Sequence, residues 1–178
     1  RTTLAPVREP SPRRALWLAI NLATAFLASW VVGMFEGAIE KVVALAVLMP
    51  VVASMGGIGG SQVLTLMIRS LALGQIGAAN VNALLKKELQ VALINGVLWA
   101  VVVGAVTLLW FKSFGLAFVI AVALLLNQLN GCLSGVYLPL FLKKIGVDPA
   151  LAGSVILTTF TDVGGFFALL GLGSLILL

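Results

Sequence analysis

The chain has 178 residues, of which 61% are hydrophobic and only 10% charged, with a net charge of +5. Soluble domains are about 45–50% apolar and about 25% charged, so the composition excludes an ordinary soluble globule, a disordered chain and a free nucleic-acid binder, and leaves a polytopic membrane protein. With no histidine and one cysteine, Cys132, it also excludes intrachain disulfides, His/Cys zinc sites, haem ligation by histidine and Ser-His or Cys-His catalytic pairs.

Residues 1–14 are polar and rich in arginine and proline and read as the end of a linker. Arg13-Arg14 leads straight into an apolar segment with no small-residue cleavage site, so that segment reads as a retained span rather than a signal peptide. Crossing the hydrocarbon takes about 20 apolar residues as a helix. Five segments qualify, at about 15–35, 39–73, 88–111, 114–142 and 150–178. Glu36-Gly37 separates the first pair and Lys112-Ser113 the third and fourth. Asp148-Pro149 opens the last as an N-cap with proline at the first helical position. The longer connection, 74–87, is expected to hold a short amphipathic surface helix.

Nine of the eleven basic residues fall on one side of this arrangement: Arg1, Arg8, Arg13, Arg14, Arg69, Lys86, Lys87, Lys143 and Lys144. Only Lys41 and Lys112 fall on the other. The positive-inside rule places the N-terminus in the cytoplasm and the C-terminus outside. The positive charge is then a topology signal of a plasma (inner) membrane protein and not a nucleic-acid footprint.

The second span is too long for a plain helix. Its 35 residues would rise about 50 Å against a hydrocarbon core of about 30 Å. Pro50 and the run Gly56-Gly57-Ile58-Gly59-Gly60 predict a kink or break near mid-membrane, with Ser61 and Gln62 beside it. Such backbone survives in a bilayer when it lines a wet cavity or is buried in protein. The alternative is close packing, because Gly56/Gly60 form a GxxxG pair. Gly33/Gly37 and Gly131/Gly135 form two more, and these are expected to pack.

The fifth span carries Asp162, fourteen residues past Asp148 and therefore about 20 Å along the helix. A carboxylate there costs roughly 2.5–3.5 kcal/mol to insert, and marks a functional site by default. Ser154, Thr158 and Thr161 recur on its side and make an oxygen-rich stripe. Asn127, Gln128 and Asn130, with Asn95 and Asn21 on other spans, either line a polar path or bridge helices. Oxygen ligands without imidazole suit Mg²⁺, Ca²⁺ or Mn²⁺. One carboxylate half-neutralises a divalent ion, and two related by a two-fold axis match it. The charges thus point to a homodimer with a divalent cation on its axis.

The stretch Val47-Leu48-Met49-Pro50-Val51-Val52-Ala53-Ser54-Met55-Gly56-Gly57, with Gly60-Ser61-Gln62 and Arg69-Ser70-Leu71-Ala72-Leu73-Gly74, resembles the second transmembrane helix of the MgtE family of magnesium channels. Asp148-Pro149-Ala150-Leu151-Ala152 and Thr158-Thr159-Phe160-Thr161-Asp162-Val163 resemble its fifth. The resemblance extends from Trp17 to the end of the chain. It implies an all-α, five-helix, homodimeric pore domain over 15–178 that admits Mg²⁺, with Mn²⁺, Co²⁺ or Ca²⁺ as further ions. It makes Asp162 the central carboxylate, and Thr158 a ligand through its backbone or through water. Gly56, Gly57, Gly60, Ser61, Gln62, Ser154 and Thr161 would line the pore, with Asn127 and Asn130 on a polar path. Where the family has Gly-Asn-x-Gly, this chain has Gly57-Ile58-Gly59-Gly60, so an amide is missing at Ile58. Ser154 stands where some relatives have Asn. The family's cytoplasmic N-terminal helical and paired CBS domains are not in this sequence.

The reading is a channel passing a hydrated ion down its electrochemical gradient, with a Na⁺/Mg²⁺ exchanger as the alternative. It is not an enzyme: Gly131-Cys132-Leu133-Ser134-Gly135 is faintly like a serine-protease turn but has no histidine base. A scaffold that only assists a partner leaves Asp162 without a purpose.

Overall fold

The computed structural model describes residues 6–8, 10–77 and 79–178. They form six helices: α1 (Pro10–Gly33), α2 (Glu36–Lys41), α3 (Ala44–Ala72), α4 (Val81–Phe111), α5 (Phe114–Lys144) and α6 (Pro149–Leu177). There is no strand among the described residues. Five of the helices, all but α2, are long and apolar enough to cross a membrane. The predicted set of five is therefore present, and the caps act as expected. Asp148 Oδ1 accepts from the Ala150 amide at 3.0 Å, and Ser113 Oγ accepts from the Leu116 amide at 3.2 Å, each satisfying a donor that a helix start leaves open.

Three boundaries differ. The predicted 39–73 span divides at Val42-Val43 into the short α2 and the 29-residue α3. At about 43 Å, α3 is shorter than the predicted span but still longer than the hydrocarbon core of about 30 Å. It continues as helix through Pro50 and through all four glycines. The predicted surface helix at 74–87 is not a separate element among the described residues. Its second half is the start of α4, and a turn at Leu73-Gly74 precedes it, with Gly74 at a φ of +66°. Finally, α1 begins at Pro10, so the C-terminal part of the 1–14 segment is helical. The rest of that segment, including Arg1, lies largely outside the described residues.

Helix α5 is the hub: it packs against α3, α4 and α6, while α3 and α4 barely touch each other. One apolar cluster joins Leu45, Leu48 and Val52 of α3 to Leu116, Val119 and Ile120 of α5 and Leu169 and Leu170 of α6. A second joins Val63 and Met67 of α3 to Ala92 of α4 and Cys132 and Val136 of α5. The N-terminal halves of α3 and α5 thus share one end of the bundle with the C-terminal half of α6. The helices alternate in direction as consecutive spans must. Outward-facing Phe26, Trp30, Leu109, Trp110 and Phe118 form the kind of apolar exterior that a bilayer covers.

The glycines explain how α3 and α5 come so close. A methyl at Gly131 would lie 2.6 Å from the Gly56 carbonyl oxygen, and one at Gly135 would lie 2.8 Å from the Gly60 carbonyl oxygen. The GxxxG pair of α3 therefore meets the GxxxG pair of α5 backbone to backbone, which only small residues allow. Gly33 and Gly37 behave otherwise. They sit on different helices, α1 and α2, and nothing among the described residues lies within 4 Å of a methyl at either.

Candidate cation site

The candidate site begins with the side of α6 where Ser154 and Thr158 line an open cavity beside Arg14, Trp17 and Asn21 of α1. Ser154 and Thr158 are exposed and Asp162 is half-buried. Successive steps of four residues put them on one face. No hydrogen bond or ion pair to the Asp162 carboxylate occurs among the described residues, so its oxygens are available to a ligand. Thr161, expected on the same stripe, is instead fully buried. Its hydroxyl donates to the carbonyls of Leu157, at 3.1 Å, and Thr158, at 3.2 Å. Thr158 donates to the Ser154 carbonyl at 2.8 Å and Thr159 to the Val155 carbonyl at 2.9 Å. The threonines therefore do not free carbonyls for an ion. They cap them, and the Thr158 hydroxyl oxygen faces outward as an acceptor.

Helix α3 supplies the neighbouring wall. Ser54, Ile58, Ser61 and Thr65 are all exposed along one side, with Gln62 next to them. Helices α3 and α6 meet at Gly57, where an added methyl would sit 3.7 Å from Oγ1 of the buried Thr161. Gly57 is thus at the rim of the open face. Gly56 and Gly60 are buried in the α3–α5 seam, because their carbonyls are what Gly131 and Gly135 approach.

The amides of α5 hold this geometry in place. Asn127 Nδ2 donates to the Val52 carbonyl at 2.9 Å, Gln128 Nε2 to the Met55 carbonyl at 3.2 Å, and Asn130 Nδ2 to the Phe160 carbonyl at 2.8 Å. Asn130 also donates to Asn127 Oδ1 at 3.3 Å. Helices α3 and α6 are therefore tied to α5 through side-chain amides on carbonyl oxygens that have a second lone pair to give. Asn127 is buried and acts as a bridge, as does Asn130 next to it. Gly165 leaves room for the Asn127 amide on α6, since a methyl there would come within 2.7 Å of Nδ2.

One residue passed unremarked in the sequence because it looked like a span boundary. Glu88 is buried, on the same α4 stripe as Ala92, Gly96 and Ala100. The signal was that four-residue spacing of small residues, which marks the packed face of α4 and has a carboxylate at its head.

Similarity to known proteins shows the family of the chain. A family model described as a divalent cation transporter, MgtE, matches residues 49–172. The chain is 33% identical over 151 residues to the magnesium transporter MgtE of Bacillus subtilis, covering 85% of this chain and 34% of that protein. It is 35% identical over 165 residues to that of Thermus thermophilus, covering 92% and 36%. The corresponding figures for the Enterococcus faecalis protein are 27% over 158 residues, covering 89% and 35%. The chain thus spans about a third of the length of these relatives.

Proposed function

Starting from a chain that belongs to the MgtE family of divalent cation transporters, we propose that it forms the pore through which hydrated Mg²⁺ enters the cell. Two copies face each other across their open α3 and α6 surfaces. The two Asp162 carboxylates then hold one ion on the two-fold axis, with Thr158, Ser154, Gly57 and Ser61 contacting its water shell and Gln62 further along the wall. The observation that carries this reading is the half-buried carboxylate of Asp162, without a partner among the described residues, on a polar face of otherwise apolar helices.

Mg²⁺ gives up water reluctantly and is usually bound through one or two carboxylates. A site of two carboxylates and outward hydroxyls can bind the ion without stripping its shell, firmly enough to admit it and weakly enough to release it. The membrane potential contributes about 4.6 kcal/mol per divalent ion per 100 mV, twice the single-charge value. In this proposal the N-terminus is cytoplasmic, the C-terminus is outside, and the membrane is the plasma membrane. Residues 1–14 end a cytoplasmic linker and 15–178 form the pore domain. Mn²⁺, Co²⁺ and Ca²⁺ are candidate competitors, and Ile58 in place of an amide weakens discrimination among them.

Asp162→Asn keeps the shape and removes the charge. It is expected to abolish saturable Mg²⁺ uptake into proteoliposomes and growth of a Mg²⁺-requiring strain on limiting Mg²⁺. Uptake at the wild-type level by this variant overturns the assignment. Flux that follows a Na⁺ gradient would replace the channel by an exchanger.

A further inference from the structure

We propose that each chain carries a second cation station, distinct from Asp162, in the cavity between α3, α4 and α5 where Glu88 is buried. The ion's identity as a divalent cation rests on the reading above. The site itself rests on Glu88, Asn95 and Gln128, with Gln62 at the edge it shares with the α3 wall.

The cavity has a volume of about 340 Å³ and is lined by Glu88, Gln62, Asn95, Gln128, Cys132 and Trp99, among others. Glu88 is only 9% exposed. No hydrogen bond or ion pair to its carboxylate occurs among the described residues. No buried polar side-chain atom among them is sealed off without a partner, so the Glu88 oxygens open onto the cavity. A carboxylate this buried is either neutralised by a proton or balanced by a counter-charge, and its chain neighbours Lys86 and Lys87 are exposed and form no ion pair with it. The cavity's polar lining lets a cation from solution reach the carboxylate and supply that counter-charge.

The surroundings select the class of cation. Gln128 donates its Nε2 to the Met55 carbonyl, which leaves Oε1 as an acceptor. Gln62 and Asn95 add two more amide oxygens. One carboxylate with neutral oxygens is a hard donor set that suits a divalent ion retaining most of its water. An ion with six waters at about 30 Å³ each takes roughly 200 Å³, which the cavity accommodates.

Its placement gives the station a role. Gln62 lies five residues beyond Gly57 on α3, about 8 Å nearer the Arg69 end, and Glu88 directly follows the Lys86-Lys87 pair. Ile58 lines the cavity and is 61% exposed, so its apolar side chain stands between the cavity and the open α3 face. The cavity is a side station on the proposed cytoplasmic half of the path, one per chain, while the Asp162 site is one per pair of chains.

The test is a Mn²⁺ titration of the purified full chain in neutral maltoside micelles. Free Mn²⁺ is followed by electron paramagnetic resonance, and bound ions are displaced with Mg²⁺. Wild-type protein should show two classes of Mg²⁺-displaceable ion, one per chain and one per two chains. Glu88→Gln, which keeps size and hydrogen bonding, should lose the first class only. Asp162→Asn should lose the second only. Gln62→Leu should weaken the first class about tenfold while leaving Glu88 in place. If Glu88→Gln leaves the number of bound ions unchanged, with protein of wild-type elution volume and helicity, Glu88 is a structural group and the station does not exist. If Asp162→Asn changes nothing while Glu88→Gln removes the first class, the station stands and the Asp162 assignment falls.

Discussion

Asn127 shows how much one side chain can decide in this bundle. Its amide donates to the Val52 carbonyl and fills the space above two glycines, Gly56 on α3 and Gly165 on α6, where any methyl would collide with it. Interhelical hydrogen bonds in bilayers contribute about 0.6 kcal/mol on average and up to about 1.7, so the amide's packing matters as much as its bond. Asn127→Ala is expected to lower stability by about 1–2 kcal/mol. Gly56→Ala is expected to cost more alone than in the Asn127→Ala background, where the space has been vacated. A double-mutant cycle on unfolding in mixed micelles reads this coupling, and strict additivity of the two changes would refute it. The same scale explains Ile58. It is 61% exposed, so an apolar side chain where the family resemblance puts an amide changes the surface of α3 and leaves the packed seam intact.

Among the elements, the contact between α3 and α5 is the most demanding. At Gly131 an added methyl would press on the Gly56 carbonyl and on the Gly60 backbone, which have no side-chain freedom to yield. Gly131→Ala is expected to destabilise the bundle by about 1–3 kcal/mol. Gly171→Ala on α6, where nothing lies within 4 Å, should be neutral or stabilise by up to about 1 kcal/mol through helix propensity. Thermal unfolding of both variants side by side checks the pair. The glycines also show how far the sequence could be read. Span number, the Asp148 and Ser113 caps and the isolation of Asp162 follow from local chemistry, so they are visible without a structure. Whether Gly56 and Gly60 line a cavity or a seam depends on what the opposite helix carries at that height. Spacing within one segment cannot reveal that, and the answer came from Gly131 and Gly135. Thr161 turned inward, and Glu88 proved buried, for the same reason: the partner helix determines which side of a helix is inside.

For the whole molecule, the alternation of helix directions and the placement of basic residues make one joint prediction. With Cys132, which is 1% exposed, replaced by serine, a single cysteine at Ser113 should react with a membrane-impermeant maleimide added outside cells. A single cysteine at Ser11 should react only after the membrane is opened. Labelling in the reverse pattern would invert the proposed orientation, and with it the side on which the Glu88 cavity lies.

Helix α1 packs within the chain essentially against α6 alone. The two are separated by 115 residues of intervening chain. At translation rates of about 5–20 residues per second, α1 resides in the bilayer for roughly 6–23 s before α6, its main neighbour among the described residues, exists. During that interval it must persist as a lone helix, anchored by Arg13 and Arg14 at one end, without help from the bundle. Biogenesis therefore closes the domain from its two ends, first helix onto last. A ribosome that stalls before α6 releases a product whose first span has nowhere to dock, which offers quality-control machinery a clear mark of an unfinished bundle.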